Sequence, residues 1–392
     1  MSALDGEDRL LLAVAHPVLS PLREAQLRRG LDGAVDWPAL IARAERHDVA
    51  PVVCAHLCGL ASAAVPAEAR TALGAAARRC VATNLALRHE LGRVLDALAA
   101  AEIDAMPLKG PVLADEIYPA PLLRPSVDLD VLVRAEDRRA AGRVLSGLGY
   151  ARRPDVEQGA DYHTIFARGG VDLELHHDVG ELHVSRLDVA TVWRAATPSE
   201  WDGHPIRRMT AEDALVYAAF HAVKDGLASL KALVDITLLV ERHVTTLAWS
   251  ALTVQLRAAH LAPVVYLALR EARALLGAPV PEAFLDTLRP RFAAWRLAER
   301  LFAWRGGVLH VPDELLVGPF MATLMLLWED TARARLRHLT RNAAPSARLR
   351  GRWVHSPLTV SPVLGYPLWV GHVVRSLIRQ LATRRPPSVA RS

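Results

Sequence analysis

The spacing of apolar positions along the chain changes twice, from helical to alternating and back to helical. Up to about residue 100 it is helical. Asp36 precedes Trp37-Pro38 and can cap a helix whose apolar face includes Leu40, Ile41 and Ala44. Pro66 opens a long run to about Ala101, with Leu73, Cys80, Leu87, Leu91, Val94 and Leu98 at mostly helical spacing. Gly74 and Gly92 inside that run permit a break. Short segments then follow. Residues 103–108 are apolar and lead into Lys109-Gly110-Pro111. Residues 127–133 alternate, with Val127, Leu129, Val131 and Val133 on one face and Asp128 and Asp130 on the other. Residues 135–148 read as a helix stopped by Gly149. Residues 162–167 and 171–178 read as strands joined at Gly169-Gly170, a hairpin signal.

Helical spacing returns after Thr210, which with Asp213 resembles a capping box, over 215–223, 230–240, 252–259 and 264–276. Helices are also expected at 320–341 and 368–383, with Pro345 between them. The pattern predicts an α/β (α+β) chain. Its parts are a helical region 1–98, an α/β core 99–204, a helical domain 205–310 and a helical, Arg-rich region 311–392.

Composition adds two constraints. At 52% apolar and 23% charged, the chain can form several cores and is not a disordered polymer. The net charge of +5 hides a split: residues 331–392 hold 12 Arg and no Lys, Asp or Glu, while residues 1–330 hold 35 basic and 42 acidic side chains. Arg333, Arg335, Arg337, Arg341, Arg348, Arg350 and Arg352 are the densest part of that stretch. Such a stretch can dock on the acidic body, or bind nucleic acid or another anionic surface. Its few aromatics, Trp353, Tyr366 and Trp369, make a poor stacking platform for single strands. Lysine is scarce, with Lys109, Lys224 and Lys231 alone.

Cys54, Cys58 and Cys80 are too few for a disulfide framework and lack zinc-site spacing, so buried thiols in a reducing compartment are expected. Asp5, Glu7 and Asp8 give the wrong charge for a secretory leader. Residues 315–328 are too short for a membrane span, and 353–374 hold three prolines and two histidines. A cytoplasmic chain without a membrane span is the expectation.

The sharpest chemistry lies in Asp128 and Asp130. Two carboxylates on one face of an otherwise apolar strand repel each other, and a hard divalent cation such as Mg²⁺ resolves that. A surface strand with two solvated acids is the plain alternative. Residues 171–176 repeat the device, placing Asp172, Glu174 and His176 on one face. A third acid on a neighbouring strand suits phosphoryl transfer with two metal ions. Lys109-Gly110 before a helix suits a phosphate, because Gly admits close backbone approach and Lys adds a charge. Arg124, four residues before Asp128, is a candidate to meet a leaving pyrophosphate.

These motifs together carry a resemblance. Leu108-Lys109-Gly110, Tyr118-Pro119, Arg124-Pro125-Ser126 running into residues 127–133, and Glu174-Leu175-His176 resemble the uncharacterised nucleotidyltransferase family of bacteria. That family lies within the DNA polymerase β-type nucleotidyltransferase superfamily, and the likeness extends over about residues 36–280. It implies a small mixed-sheet nucleotidyltransferase core flanked by helical segments. It also implies Mg²⁺- or Mn²⁺-dependent transfer of a nucleoside monophosphate from an NTP, ATP among them, to an acceptor. Asp128 and Asp130 match the metal pair; Glu174 matches the third acid, with Asp172 on the same face as the alternate. Lys109-Gly110 stands where the superfamily usually has Gly-Ser.

Beyond the motifs, His221, Lys231 and Asp235 are candidates to border the cleft from the helical side, Lys231 as a nucleotide contact. Core or surface packing is the alternative for each. His176, His177, Asp178, Glu181 and His183 form a dense cluster without zinc spacing. Two rival functions remain: a nucleic-acid-binding protein working through the Arg-rich stretch, and a scaffold on a degenerate nucleotidyltransferase core. The acceptor, whether small molecule, peptide, protein or RNA, is not specified by these residues.

Overall fold

The N-terminal helices begin where side-chain caps stand. Asp5 caps α1 (Gly6–Val14), Ser20 caps α2 (Pro21–Leu31), and Asp36 caps α3 (Trp37–Arg46) as expected, accepting the Ala39 N–H at 3.0 Å. After α4 (Ala50–Leu60), α5 (Ala67–Ala100) runs 34 residues unbroken through Gly74 and Gly92. Gly92 permits a close crossing instead of a break: a Cβ there would lie 2.6 Å from His204 Nε2. This computed structural model describes residues 4–60, 62–153, 162–179, 181, 182, 185–315, 319–333, 335 and 375. Arg337, Arg341, Arg348, Arg350, Arg352, His183 and nearly all of the expected helix at 368–383 lie outside the described residues.

The central block is a mixed sheet. Its elements are β1 (Met106–Pro107), α6 (Gly110–Ile117), β2 (Asp128–Leu132), α7 (Arg138–Gly147), β3 (Ala151–Arg152), β4 (His163–Arg168) and β5 (Val171–His176). The strand order is β1-β2-β5-β4-β3, with β2 and β5 parallel and the other pairs antiparallel. The β4–β5 turn uses Gly169 and Gly170 at φ 57° and 84°, as their hairpin signal requires. One sheet face, with Leu129, Val131, Phe166, Leu173 and Leu175, packs on Leu87, Leu91 and Val94 of α5 and Ala141 and Leu145 of α7. Val127, expected on that apolar face, instead precedes the strand and is 74% exposed.

Small elements follow: β6 (Glu181–Leu182), β7 (Ser185–Arg186), α8 (Val189–Ala195), β8 (Thr197–Trp201) and β9 (His204–Arg208). The β8–β9 hairpin was not predicted. Asp202 and Gly203 form its turn at φ 53° and 84°, but Pro198 and Pro205 obscured the alternation. The chain then returns to helices: α9 (Ala211–Lys224), α10 (Leu230–His243), α11 (Trp249–Ala258), α12 (Ala262–Leu276), α13 (Glu282–Leu288), α14 (Ala293–Trp304) and α15 (Pro319–Trp328).

A second apolar cluster joins Leu10, Leu40 and Leu57 of the N-terminal helices to Leu215, Phe220 and Leu233 of the later ones. It meets the sheet at Met106, Leu108 and Leu132. The helices before and after the sheet thus share one core and wall its edge. Among the described residues no helix is long and apolar enough to cross a membrane.

Candidate active site

Strand register builds the site. Asp128 pairs with Asp172 and Asp130 with Glu174 across β2–β5; His163 pairs with His176 across β4–β5. Alternation sends these side chains to the face opposite the apolar core. They do not all converge. Asp172 is half-exposed and turned to Arg153, 3.4 Å away. Asp130 and Glu174 come together around His176, whose Nε2 lies 3.1 Å from Asp130 Oδ1 and 3.2 Å from Glu174 Oε2.

Lys109 caps α6 and reaches the same cluster. Gly110 follows it at φ 68°, a left-handed conformation suited to glycine. The Lys109 Nζ lies 3.2 Å from Asp130 Oδ2 and donates to His221 Nε2 at 3.0 Å. An ammonium only donates, so His221 accepts at Nε2 and carries its proton on Nδ1. Asp225 Oδ2 stands 2.8 Å from that Nδ1.

The charges are tightly balanced. Burial alone would raise the Asp130 carboxyl, but Lys109 and the His176 hydrogen bond outweigh it and hold it far below the usual range. Burial, with Asp130 and Glu174 nearby, pushes Asp128 up to about 6. Burial would also raise Glu174, yet its His176 hydrogen bond keeps it below its ordinary value. His176 itself is buried, which disfavours its charged form, and the two carboxylates more than compensate.

A cavity of about 340 Å³ opens beside this cluster, between the β1–α6 turn and α9–α10. Lys109, Asp128, His221, Asp225 and Lys231 contribute polar groups to it, and Leu108, Leu113 and Tyr217 contribute apolar wall. The Lys231 ammonium has one hydrogen-bond acceptor among the described residues, the Pro125 carbonyl at 3.4 Å. Burial and the nearby Arg124 charge lower its proton affinity.

Arg124 and Asp235 also border the cavity, but they hold each other. The guanidinium donates to Asp235 at 3.0 Å and 2.8 Å and to Ser126 Oγ at 3.0 Å. Tyr118 OH donates to Asp235 at 2.8 Å, and Asn84 ties down the Arg124 carbonyl at 2.8 Å. This buried strut fixes the loop before β2 against α5 and α10 rather than leaving a guanidinium for a phosphate.

All three lysines gather here. Lys224 donates to Tyr162 OH at 2.6 Å, and the Tyr162 ring stacks on His176 with centroids 5.9 Å apart. Among the other histidines and acids of the sequence cluster, His177 turns toward Arg138, 3.3 Å away. His163 and Asp225 were not singled out from sequence, although signals existed. The two-residue Gly169-Gly170 turn fixes a register that lands His163 on His176. Asp225 lies one helical turn after His221.

A family model described as uncharacterised nucleotidyltransferase matches residues 33–277, a span that contains the whole cluster and all of the cavity lining except Asp313. No curated protein matches the chain.

Proposed function

The chain belongs to the uncharacterised nucleotidyltransferase family, and on that premise we propose that it moves a nucleoside monophosphate from an NTP to an acceptor hydroxyl. The observation that carries this reading is the strand register, which groups Asp128, Asp130 and Glu174 beside a cavity containing Lys109 and Lys231.

The carboxylates fit a divalent cation such as Mg²⁺ or Mn²⁺. Asp128 is pushed up to about 6 by burial and by its acidic neighbours, a repulsion that a bound cation relieves. Asp128, Asp130 and Glu174 would hold it, and when bound it would supply positive charge to the transferring phosphate.

The chain's own groups do the rest. Two of the three Lys109 donors are engaged by Asp130 and His221, leaving one for a phosphate oxygen. Gly110 is the first residue of α6, so its N–H belongs to the helix end that favours anions. Lys231 adds a second cation with little competing for it. The acceptor oxygen forms a bond to the α-phosphorus, and a cluster carboxylate takes its proton. The bond from the α-phosphorus to the bridging oxygen breaks, and pyrophosphate leaves with that electron pair. Arg124 acts at a distance, by holding the β2 loop through Asp235.

Thermal melting with each NTP, with and without Mg²⁺, tests the binding half of this reading. A higher Tm with at least one NTP is expected, dependent on Mg²⁺. Unchanged melting with all four NTPs would sink it.

A further inference from the structure

One feature of the cluster is unlike a site made of oxygens alone. His163, Glu174 and His176 each direct a donor atom to one place, and those atoms lie within 4.8 Å of one another. Glu174 Oε2 is 3.2 Å from His176 Nε2 and 3.9 Å from His163 Nε2. An ion about 2.1 Å from each donor spaces its ligands roughly 3.0–3.4 Å apart, so one contact already fits and the others need a small closure.

Three observations point to a cation. Glu174 has only these two imidazoles as ion-pair partners among the described residues; neither Lys nor Arg reaches it. The Nδ1 atoms of both His163 and His176 are buried without a hydrogen-bond partner among those residues. No acceptor therefore holds a proton on either Nδ1: the His163 Nε2 lone pair is free to bind, and at His176 the carboxylates keep the proton on Nε2, where a cation can replace it. The Tyr162 ring lies against both imidazoles, with centroids 4.4 Å and 5.9 Å away, and shields the site on that side.

We propose that His163, Glu174 and His176 form a site for a borderline divalent cation of the Zn²⁺ or Co²⁺ class, with Asp130 as a neighbouring oxygen donor. Hard Mg²⁺ prefers oxygen and keeps its waters, whereas imidazole selects borderline ions. In the metal-free chain the His176 Nε2 proton serves Asp130 and Glu174; ion binding replaces that proton and releases it to solvent. The inference shares its carboxylates with the proposed transferase site, so it rests on and deepens that reading: a nitrogen-ligated cation stands next to the one proposed for Asp128 and Asp130.

Metal binding, read without turnover, tests it. Titrate the metal-free full chain with Co²⁺, follow visible absorption, then displace Co²⁺ with Zn²⁺ in millimolar Mg²⁺. One Co²⁺ per chain is expected, with ligand-field bands that persist in Mg²⁺. His163→Gln should weaken binding by about tenfold or more while the metal-free chain melts as wild type. Asp172→Asn, on the same strand but outside the cluster, should bind normally. Absent bands, displacement by Mg²⁺, or unchanged affinity in His163→Gln would overturn the assignment. Histidine-dependent Co²⁺ binding in a chain that transfers no nucleotide leaves this site standing and removes the transferase reading. Transfer with no histidine-dependent binding does the reverse.

Discussion

Asp130 and Glu174 face each other as register partners on two parallel strands, although a helix and a hairpin arm separate them in sequence. Parallel pairing requires such a crossover, here α7 with β3 and β4. The same crossover that completes the sheet therefore delivers the third carboxylate to the first two. His176 then fills the space between Asp130 and Glu174, and Lys109 closes Asp130 from the other side.

Lys231 is expected to favour function at a cost in stability. Its ammonium is held down by burial and by Arg124, with one weak acceptor. Lys231→Met should leave the metal-free chain as stable as wild type or slightly more so, since it removes a poorly solvated charge. NTP affinity should fall roughly 10–100-fold, about 1.4–2.8 kcal/mol. Parallel urea melts and NTP titrations separate the two effects; a large loss of stability with unchanged NTP affinity would remove Lys231 from the nucleotide site.

The Arg124–Asp235 strut should behave as a structural pair. Both side chains are nearly inaccessible, at 3% and 8% exposure. Arg124→Leu leaves a buried carboxylate unpaired and should cost about 3–5 kcal/mol, measured by denaturant unfolding. The double variant with Asp235→Leu should recover part of that loss. Additive single effects in this cycle would show that the two residues do not work together.

Glu90 ties α5 to the sheet and gives a pH signature. It accepts from Arg93 at 2.8 Å, Arg168 at 3.0 Å and Tyr150 OH at 3.0 Å. Burial alone would raise its carboxyl; the Arg93 and Tyr150 hydrogen bonds outweigh that and hold it below its ordinary 4.5. A lowered folded-state pKa means the contribution is complete above about pH 4.5 and is lost as pH falls through the lowered value. Glu90→Gln should therefore cost about 1–2 kcal/mol at pH 7, a gap that narrows below pH 4.5. A gap that is constant with pH would rule out the ionised network.

The legible parts of the site were those set by local period. Alternation over residues 127–133 and 171–176 put the acids on shared faces, and the structure keeps them there. The preference for Glu174 over Asp172 came from the motif resemblance, because alternation alone puts both on one face. What no local pattern gives is the arrangement around them, with Lys109 against Asp130 and Arg153 against Asp172. Arg124 read as a loop cation near two acids because Asp235 lies 111 residues further along the chain. Helical spacing located α9 and α10 and offered His221 and Lys231 as candidates for the cleft beside packing roles; that they line one cavity with the β1–α6 turn is set by how the helices pack. His163 was recoverable, since a two-residue turn fixes every pair along its hairpin.

Label transfer from NTPs carrying phosphorus label at either the α or the γ position tests the central claim most directly. Wild type is compared with Asp128→Asn plus Asp130→Asn, in Mg²⁺ or Mn²⁺, over hydroxyl acceptors that include small molecules, peptides and RNA. The α label should move to an acceptor while the γ label leaves in pyrophosphate. The double variant should lose at least about 100-fold of that activity, the scale expected when groups that stabilise transition-state charge are removed. Undiminished α-label transfer in the double variant, or transfer of the γ label instead, would contradict nucleotidyl transfer at these carboxylates.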